Sequence, residues 1–458
     1  MGMKLKFDIE NMGNIDKASV TIKPLTIIAG ENSSGKTFVT KGLYTILDSV
    51  YKNHFLEKLI VDFRMLDAYF GGFNELLNKP SKIDIEFQLY FQLFLDEIKF
   101  FLIELEECQF EEQEFISSTY LQKFLKFDNK INTYFNDRLQ TKKFLKYKDI
   151  IDNILEQKSK ILKNIKNRID IIIKGISSSL DIGFKKNFQI THLQNLINKN
   201  QISNLHLSLD TLGDIEIDRN QHIEFNLTND GINEIQNVRN IVFFDSPVYI
   251  KIRKALEKVQ DRLSYRRINE DKYLKGYPQY IEQFYEFIKK EYIDIPDFNL
   301  ISQEIQEIIN GRLEVNQGDI NYRDNQNNII PISLTAMGIS NIGVIDLLLR
   351  NNIINKGSFL IMDEPEVHLH PKWQVFLAQI LYKIAKSGAN IIIATHSLDF
   401  LKAFENILKE DGEKAEDIIA INQMPYDDKN LELSELEKVG LVLDDLSKPY
   451  YDLYMQDI

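Results

Sequence analysis

Gly30-Glu31-Asn32-Ser33-Ser34-Gly35-Lys36-Thr37 follows the apolar run Leu25-Thr26-Ile27-Ile28-Ala29 and precedes a helical pattern that begins at Phe38. A buried strand, a glycine-bounded loop closed by Lys-Thr, and a helix are the three parts of a phosphate-binding P-loop, here in the order the chemistry requires. Glycines let the backbone curl so that its N–H groups converge, and the helix start adds partial positive charge. In such a loop the stretch Gly30, Asn32, Ser33, Ser34 and Gly35 cradles phosphate. Lys36 reaches the β- and γ-phosphates, and Thr37 offers its hydroxyl to Mg2+. The expected cofactors are ATP and Mg2+.

Two further apolar strands complete the pattern. Phe359-Leu360-Ile361-Met362 runs into Asp363 and Glu364, and Ile391 to Thr395 runs into His396. Acids at the end of one buried strand are common. Paired with a P-loop they suit hydrolysis: Asp363 holds the Mg2+ shell, and Glu364 orients or deprotonates the attacking water. His396, one strand later, is placed to sense the γ-phosphate.

Around these motifs the periodicity changes in blocks. Residues 1–45 hold an alternating hairpin about Asn11 to Asn14, the buried strand and the P-loop. Residues 46–188 read as a helical insertion, nearly free of Pro and Gly, without a heptad run long enough for an extended coiled coil. A helical lobe is expected there. Residues 189–248 turn to period two, as antiparallel strands, and close with the short buried strand Asn240 to Phe244. Residues 249–310 read as a second helical lobe. Residues 311–410 begin with a hairpin at 312–322 and then alternate helix and strand, the mark of a parallel sheet. Residues 411–458 read as short elements without a recognisable site. The fold class is therefore α/β: a P-loop head with a mixed sheet and an antiparallel subdomain, interrupted by large helical insertions.

Composition narrows the rest. With 44% hydrophobic and 27% charged residues the chain can bury a core end to end. Its net charge of −13 argues against a protein generically coated in nucleic acid. The charge is uneven: acids dominate from Asp84 to Glu114, and bases from Lys142 to Lys186. A contact with DNA through the basic segment stays open beside the reading of a solvated helical face. The single cysteine, Cys108, excludes a disulfide framework and any multi-cysteine metal site. No run has the length and apolarity of a membrane span, and the start lacks the apolar core of a signal peptide, so a cytoplasmic protein is expected.

GENSSGKT at 30–37, LIMDEPEVHLHPKWQ at 360–374 and IIIATHS at 391–397 resemble the ABC-type ATPases that include RecF, the Rad50 heads, the OLD nucleases and the ATPase subunits of the Septu and PARIS phage-defence systems. The Asp363-Glu364-Pro365-Glu366 form with His368, Leu369, His370 and Pro371 is especially similar to the OLD and defence branch. The resemblance implies two heads closing on ATP, with a signature loop of each completing the site of the other. The corresponding stretch is Ser333 to Asn341, where Ala336 replaces the family serine and Gly338 remains to offer its N–H. It also implies that the segment after Glu366 contacts the opposite subunit; the alternative for His368 and His370 is metal ligation. A glutamine-loop candidate is Asp245 to Tyr249. Expected partners are a second copy, as a dimer or higher oligomer, and a separate effector such as a nuclease, because the chain carries no effector constellation of its own. The function implied is an ATP-hydrolysing sensor or scaffold in an antiviral complex. The alternatives are a DNA-repair clamp of RecF or Rad50 character and an ATP-dependent scaffold that hydrolyses slowly.

Overall fold

The computed structural model describes residues 4–77, 79–108, 110–210, 212–228, 240–252, 278–289, 298–316 and 318–455. The chain forms two compact units, Met1–Val50 with Ser179–Ile458, and Tyr51–Ser178.

The first unit is built on three sheets. Strands β1 (Leu5–Met12) and β2 (Ile15–Ile22) form the expected hairpin. They continue antiparallel into β4 (Leu205–Leu209), β5 (Gly213–Ile217) and β6 (Ile223–Leu227), in the order β2-β1-β4-β5-β6. The central sheet is wholly parallel: β13 (Ile419–Met424), β3 (Leu25–Gly30), β12 (Asn390–Thr395), β11 (Phe359–Asp363) and β7 (Ile241–Phe244). Its inner strands are covered on both faces and therefore read as unbroken apolar runs, not alternating ones. A third sheet pairs β8 (Gly311–Asn316) with β9 (Asp319–Asp324) and β10 (Ile329–Pro331).

Helix α1 (Lys36–Tyr51) leaves the P-loop and buries Val39, Leu43, Tyr44, Ile46 and Leu47. The second unit follows: α2 (His54–Leu76), α3 (Lys82–Glu107), α4 (Phe110–Leu139), the single turn α5 (Lys142–Leu145), α6 (Lys148–Lys166) and the first half of α7 (Arg168–Asn187). Its core is aromatic. Phe70 stacks on Phe91 at 4.0 Å, Phe87 on Tyr134 at 3.5 Å, and Phe94 meets Phe124 edge-on at 5.6 Å. One buried carboxylate, Asp62, is satisfied by Gln157, Lys58, Lys160 and Asn164 at 2.6–3.1 Å.

Back in the first unit are α8 (Gln279–Lys289), α9 (Asn299–Ile309), α10 (Met337–Arg350), α11 (Pro371–Lys386), α12 (Leu398–Asp411), the short α13 (Glu413–Ile418) and α14 (Glu435–Met455). The helical reading of 249–310 is met at α8 and α9; residues 253–277 and 290–297 lie outside the described residues. The tail departs from the expectation of short elements, since β13 extends the central sheet and α14 runs for 21 residues. The reason lies in the edge position of β13. An edge strand tolerates polar residues, and the Asn422 side chain bonds both the N–H and the carbonyl of Thr21 at 2.8 and 3.0 Å, tying two sheets together. Among the described residues no helix is long and apolar enough to cross a membrane.

Candidate nucleotide site

The P-loop residues sit at the carboxyl end of the central sheet, where open parallel α/β sheets place their ligands. Ile27 and Ile28 in β3 pair with Ile393 and Ala394 in β12, so the loop after β3 and the turn after β12 emerge side by side. Strand β11 is the next neighbour of β12, with Asp363 opposite Ala394. The sheet thus brings Lys36, Thr37, Asp363, Glu364 and His396 to one edge.

Two glycines are required by the surroundings. A Cβ on Gly30 would lie 1.9 Å from the Met424 carbonyl oxygen, and Gly35 has φ 101° with its Cβ position 2.7 Å from Ile15 Cγ1. The hairpin turn also braces the loop through the Asn14 side-chain amide, which donates to the Ser33 carbonyl. Lys36 is buried, and its ammonium folds back on its own loop, donating to the Gly30 and Glu31 carbonyls at 2.8 and 2.7 Å. Burial pushes its pKa below the ordinary lysine value, against the opposing pull of Glu364, Asp363 and Glu366.

Thr37 Oγ1 donates to Asp363 Oδ2 at 2.8 Å. The other Asp363 oxygen is buried without a partner, as is Ser34 Oγ in the loop. Burial raises the Asp363 carboxyl above the usual range, with the Thr37 bond and Lys41 pulling the other way. A threonine hydroxyl joined to a carboxylate with one open oxygen, beside an ammonium parked on carbonyls, fits Mg2+ and a polyphosphate. Among the described residues no group of three or more His, Cys, Asp or Glu could hold a metal by itself, so His368 and His370 form no such centre. His370 instead caps α11 by accepting from the Lys372 N–H at 3.2 Å.

Glu364 is held in a left-handed conformation, φ 48°, with its N–H bonded to the Ala394 carbonyl at 2.9 Å. A non-glycine residue there is strained, and the strain turns its side chain out of the strand register. Its Oε1 lies 2.9 Å from His396 Nδ1, an ion-pair distance between residues that follow neighbouring strands, while the alignment leaves Nδ1 without a hydrogen bond.

Several contacts at the site could not be read from the sequence, although the residues lie in segments it singles out. Glu366 is buried and accepts from Thr395 Oγ1 and, at 3.4 Å, from the His396 N–H, fixing the turn after β11 to the turn after β12. Asn341 on α10 is buried and donates to the Pro365 carbonyl at 2.7 Å. A Cβ on Gly338 would meet Trp373 and Leu369 at 3.2 and 3.3 Å, so the first turn of α10 lies close against the segment after Glu366. That turn has Ala336 at its N-cap, with no side-chain hydrogen bond, which leaves its first N–H groups unsatisfied by any cap. In the glutamine-loop candidate segment, Asp245 follows Phe244, the partner of Met362, so it stands beside Asp363 on the sheet edge. Tyr280 on α8 donates to it at 2.8 Å, and burial raises its pKa. Lys41, one turn after Thr37, covers the Tyr280 ring at 5.5 Å.

A parallel sheet carrying a P-loop, an acid pair and a histidine at its carboxyl edge defines the nucleotide-binding head of a P-loop ATPase. The chain belongs to the AAA ATPase domain family, whose model matches residues 3–401. No curated protein matches it. Among solved structures it is similar at 10% identity to an SMC head bound to the C-terminal winged-helix domain of ScpA, covering 87% of this chain and 91% of that one with a TM-score of 0.39. It is similar at 12% identity to a Pyrococcus furiosus SMC head with an extended coiled coil bound to the C-terminal domain of ScpA (88% and 92% covered, TM-score 0.37) and to the SMC head domain from Thermotoga maritima (88% and 92%, TM-score 0.31).

Proposed function

We propose that the chain hydrolyses ATP at this edge, that two heads close on the nucleotide, and that the closed state controls a separate effector, such as a nuclease, in an antiviral complex. The observation that carries the ATPase reading is the pairing of Thr37 with Asp363 and of Glu364 with His396 on adjacent strands. When bound, ATP with Mg2+ supplies the γ-phosphoryl group and a cation that offsets its charge. Lys36 leaves the Gly30 and Glu31 carbonyls for phosphate, a substitution of one set of acceptors for a more strongly charged one. Thr37 Oγ1 and the Asp363 carboxylate would hold the cation. Glu364 Oε1 orients water and takes its proton, with His396 standing beside that carboxylate. Gly30, Asn32, Ser33, Ser34 and Gly35 line the phosphate cradle. The uncapped first turn of α10, at Gly338, is suited to meet the γ-phosphate of a facing head with backbone N–H groups, without the hydroxyl that Ala336 lacks.

The defence role rests on the resemblance of the Asp363 to Pro371 segment to the OLD and phage-defence branch. The DNA-clamp alternative needs a continuous basic face, yet several bases of 142–186 are engaged in local ion pairs. Lys158 is buried against Asp128, Lys160 pairs with Asp62 at 3.1 Å, and Lys185 pairs with Asp181 at 2.8 Å.

Glu364→Gln tests both levels. It is expected to bind ATP as wild type does, to hydrolyse it about 10²–10⁴ times more slowly, and to accumulate as a closed dimer. Wild-type turnover by this variant would remove Glu364 from the chemistry. Tagged Glu364→Gln protein, recovered from cells that carry the neighbouring genes, is expected to bring a stoichiometric effector into native mass spectra. A dimer carrying DNA and no protein partner would move the reading to the clamp.

A further inference from the structure

Helix α3 is apolar on two sides. Phe87, Phe91, Phe94, Leu95, Ile98, Phe101 and Leu105 face the aromatic core. On the other side Ile85, Leu89, Leu93, Phe100 and Ile103 are 46–64% exposed. At about 100° per residue, Ile85, Leu89, Leu93, Asp96, Phe100 and Ile103 fall within one stripe less than about 90° wide, and at about 1.5 Å per residue it is about 27 Å long. Single exposed apolar residues are ordinary, whereas a stripe of this length on one helix face marks an interaction surface.

The stripe is close to palindromic. Reversed about the midpoint of the helix, between Phe94 and Leu95, Leu89 falls on Phe100, Leu93 on Asp96, and Ile85 beside Ile103. Its ends carry opposite charge: Lys82 begins the helix and Glu107 ends it, both exposed and both on the stripe. Two copies side by side in the same direction would set Lys82 against Lys82 and Glu107 against Glu107. Two copies antiparallel set Lys82 against Glu107 at both ends and oppose the helix dipoles favourably. Asp96, the one acid inside the stripe, already has local partners in Gln92 at 3.1 Å and Lys99 at 3.4 Å, so it enters such a contact partly neutralised.

We propose that the helical unit is a second homotypic interface, in which α3 packs antiparallel on α3 of another copy, separate from closure of the heads on nucleotide. A two-fold contact of this kind is isologous: each residue meets the mate dictated by the palindrome. Head closure and the α3 contact together would link copies through two different surfaces.

The test uses the full chain without nucleotide, so that head closure does not contribute. Sedimentation equilibrium is expected to show dimers for wild type, and the double variant Leu89→Glu with Leu93→Glu is expected to weaken the dimer by about 100-fold or more, because unpaired carboxylates would be buried in the contact. Both positions are exposed, so folding and ATP binding are expected to remain. In a Cys108→Ser background, Leu89→Cys with Phe100→Cys is expected to form disulfides between residue 89 of one copy and residue 100 of the other. The same two positions are about 16 Å apart within one helix, too far to join. A monomeric wild type, an unchanged mass for the double glutamate variant, or disulfides joining 89 to 89 would each overturn the proposal. The first of these would leave the stripe to a different partner.

Discussion

The two units solve the problem of a core in opposite ways. The head buries aliphatic strands, such as Leu360-Ile361-Met362 and Ile391-Ile392-Ile393, between layers, and exposes its chemistry where those strands stop. The helical unit buries phenylalanine and tyrosine rings between helices and, among the described residues, gathers no comparable cluster of reactive groups. Strands in a parallel sheet end together, so their last residues converge whatever the rest of the chain does. Helices in a bundle present side chains along their whole length, and α3 uses that property twice, inward to its aromatic core and outward to solvent. A sheet edge makes a point-like site; a helix face makes a surface.

The sharpest way to break this division is Lys36→Ala. The ammonium is the only cation that the P-loop itself supplies, and its removal is expected to abolish nucleotide binding at any usable ATP concentration, measured by titration calorimetry. Hydrogen exchange across α2 to α6 should not change. If protection in those helices fell, the units would share their stability and the division would fail.

The converse is Phe91→Ala. Phe91 is fully buried and touches the rings of Phe70, Phe87 and Phe94. Truncation is expected to cost the helical unit about 3–5 kcal/mol, read as faster exchange in α3 and α4, while ATP affinity stays within twofold. The one tryptophan, Trp373, belongs to the head, so its fluorescence follows that unit independently. A parallel loss of ATP affinity would show that the aromatic core also shapes the nucleotide site.

Legibility in the sequence followed the same division. The P-loop, the acid pair after β11 and the turn at His396 could be read because each lies on a contiguous motif whose strand forces it to the sheet edge. The contacts of Asn341, Glu366, Asn14 and Asp245 could not: each lies in a segment the sequence singles out, but each acts through a contact with a distant segment that no local pattern reveals. Asn341 bonds Pro365 from a helix that reads only as apolar. Asp245 gains its place beside Asp363 from the register of β7 with β11, which no single strand reveals. The helical unit was legible as helix, but its inside was not. Residues 83–105 are apolar on both faces of α3, so spacing by three and four does not decide which face is buried. The tail was misjudged because β13 is a half-polar edge strand, the least patterned kind.

The smallest expected effect concerns how a polar anchor survives in the aromatic unit. Asp84 is buried at the start of α3, in a capping box with Ser81, and it accepts from Tyr134 at 2.9 Å and pairs with Arg138 at 2.7 Å. Burial alone would raise its carboxyl; the bonds from Ser81 and Tyr134 and the Arg138 charge outweigh it and hold the pKa below the ordinary 3.8. A carboxyl depressed in the folded state adds stability that is complete above its unfolded pKa and is lost as pH falls through the lower folded value. Asp84→Asn is therefore expected to cost about 1–2 kcal/mol, constant between pH 5 and 7, through the weakened cap and the unpaired arginine. Below about pH 3.8 the gap between variant and wild type should begin to close, and it should close fully once pH has fallen through the lower folded value. Hydrogen exchange of α3 at the two ends of that range measures it. A gap that persists unchanged at pH 3 would mean that Asp84 acts by shape alone, and that the helical unit holds its first turn without help from charge.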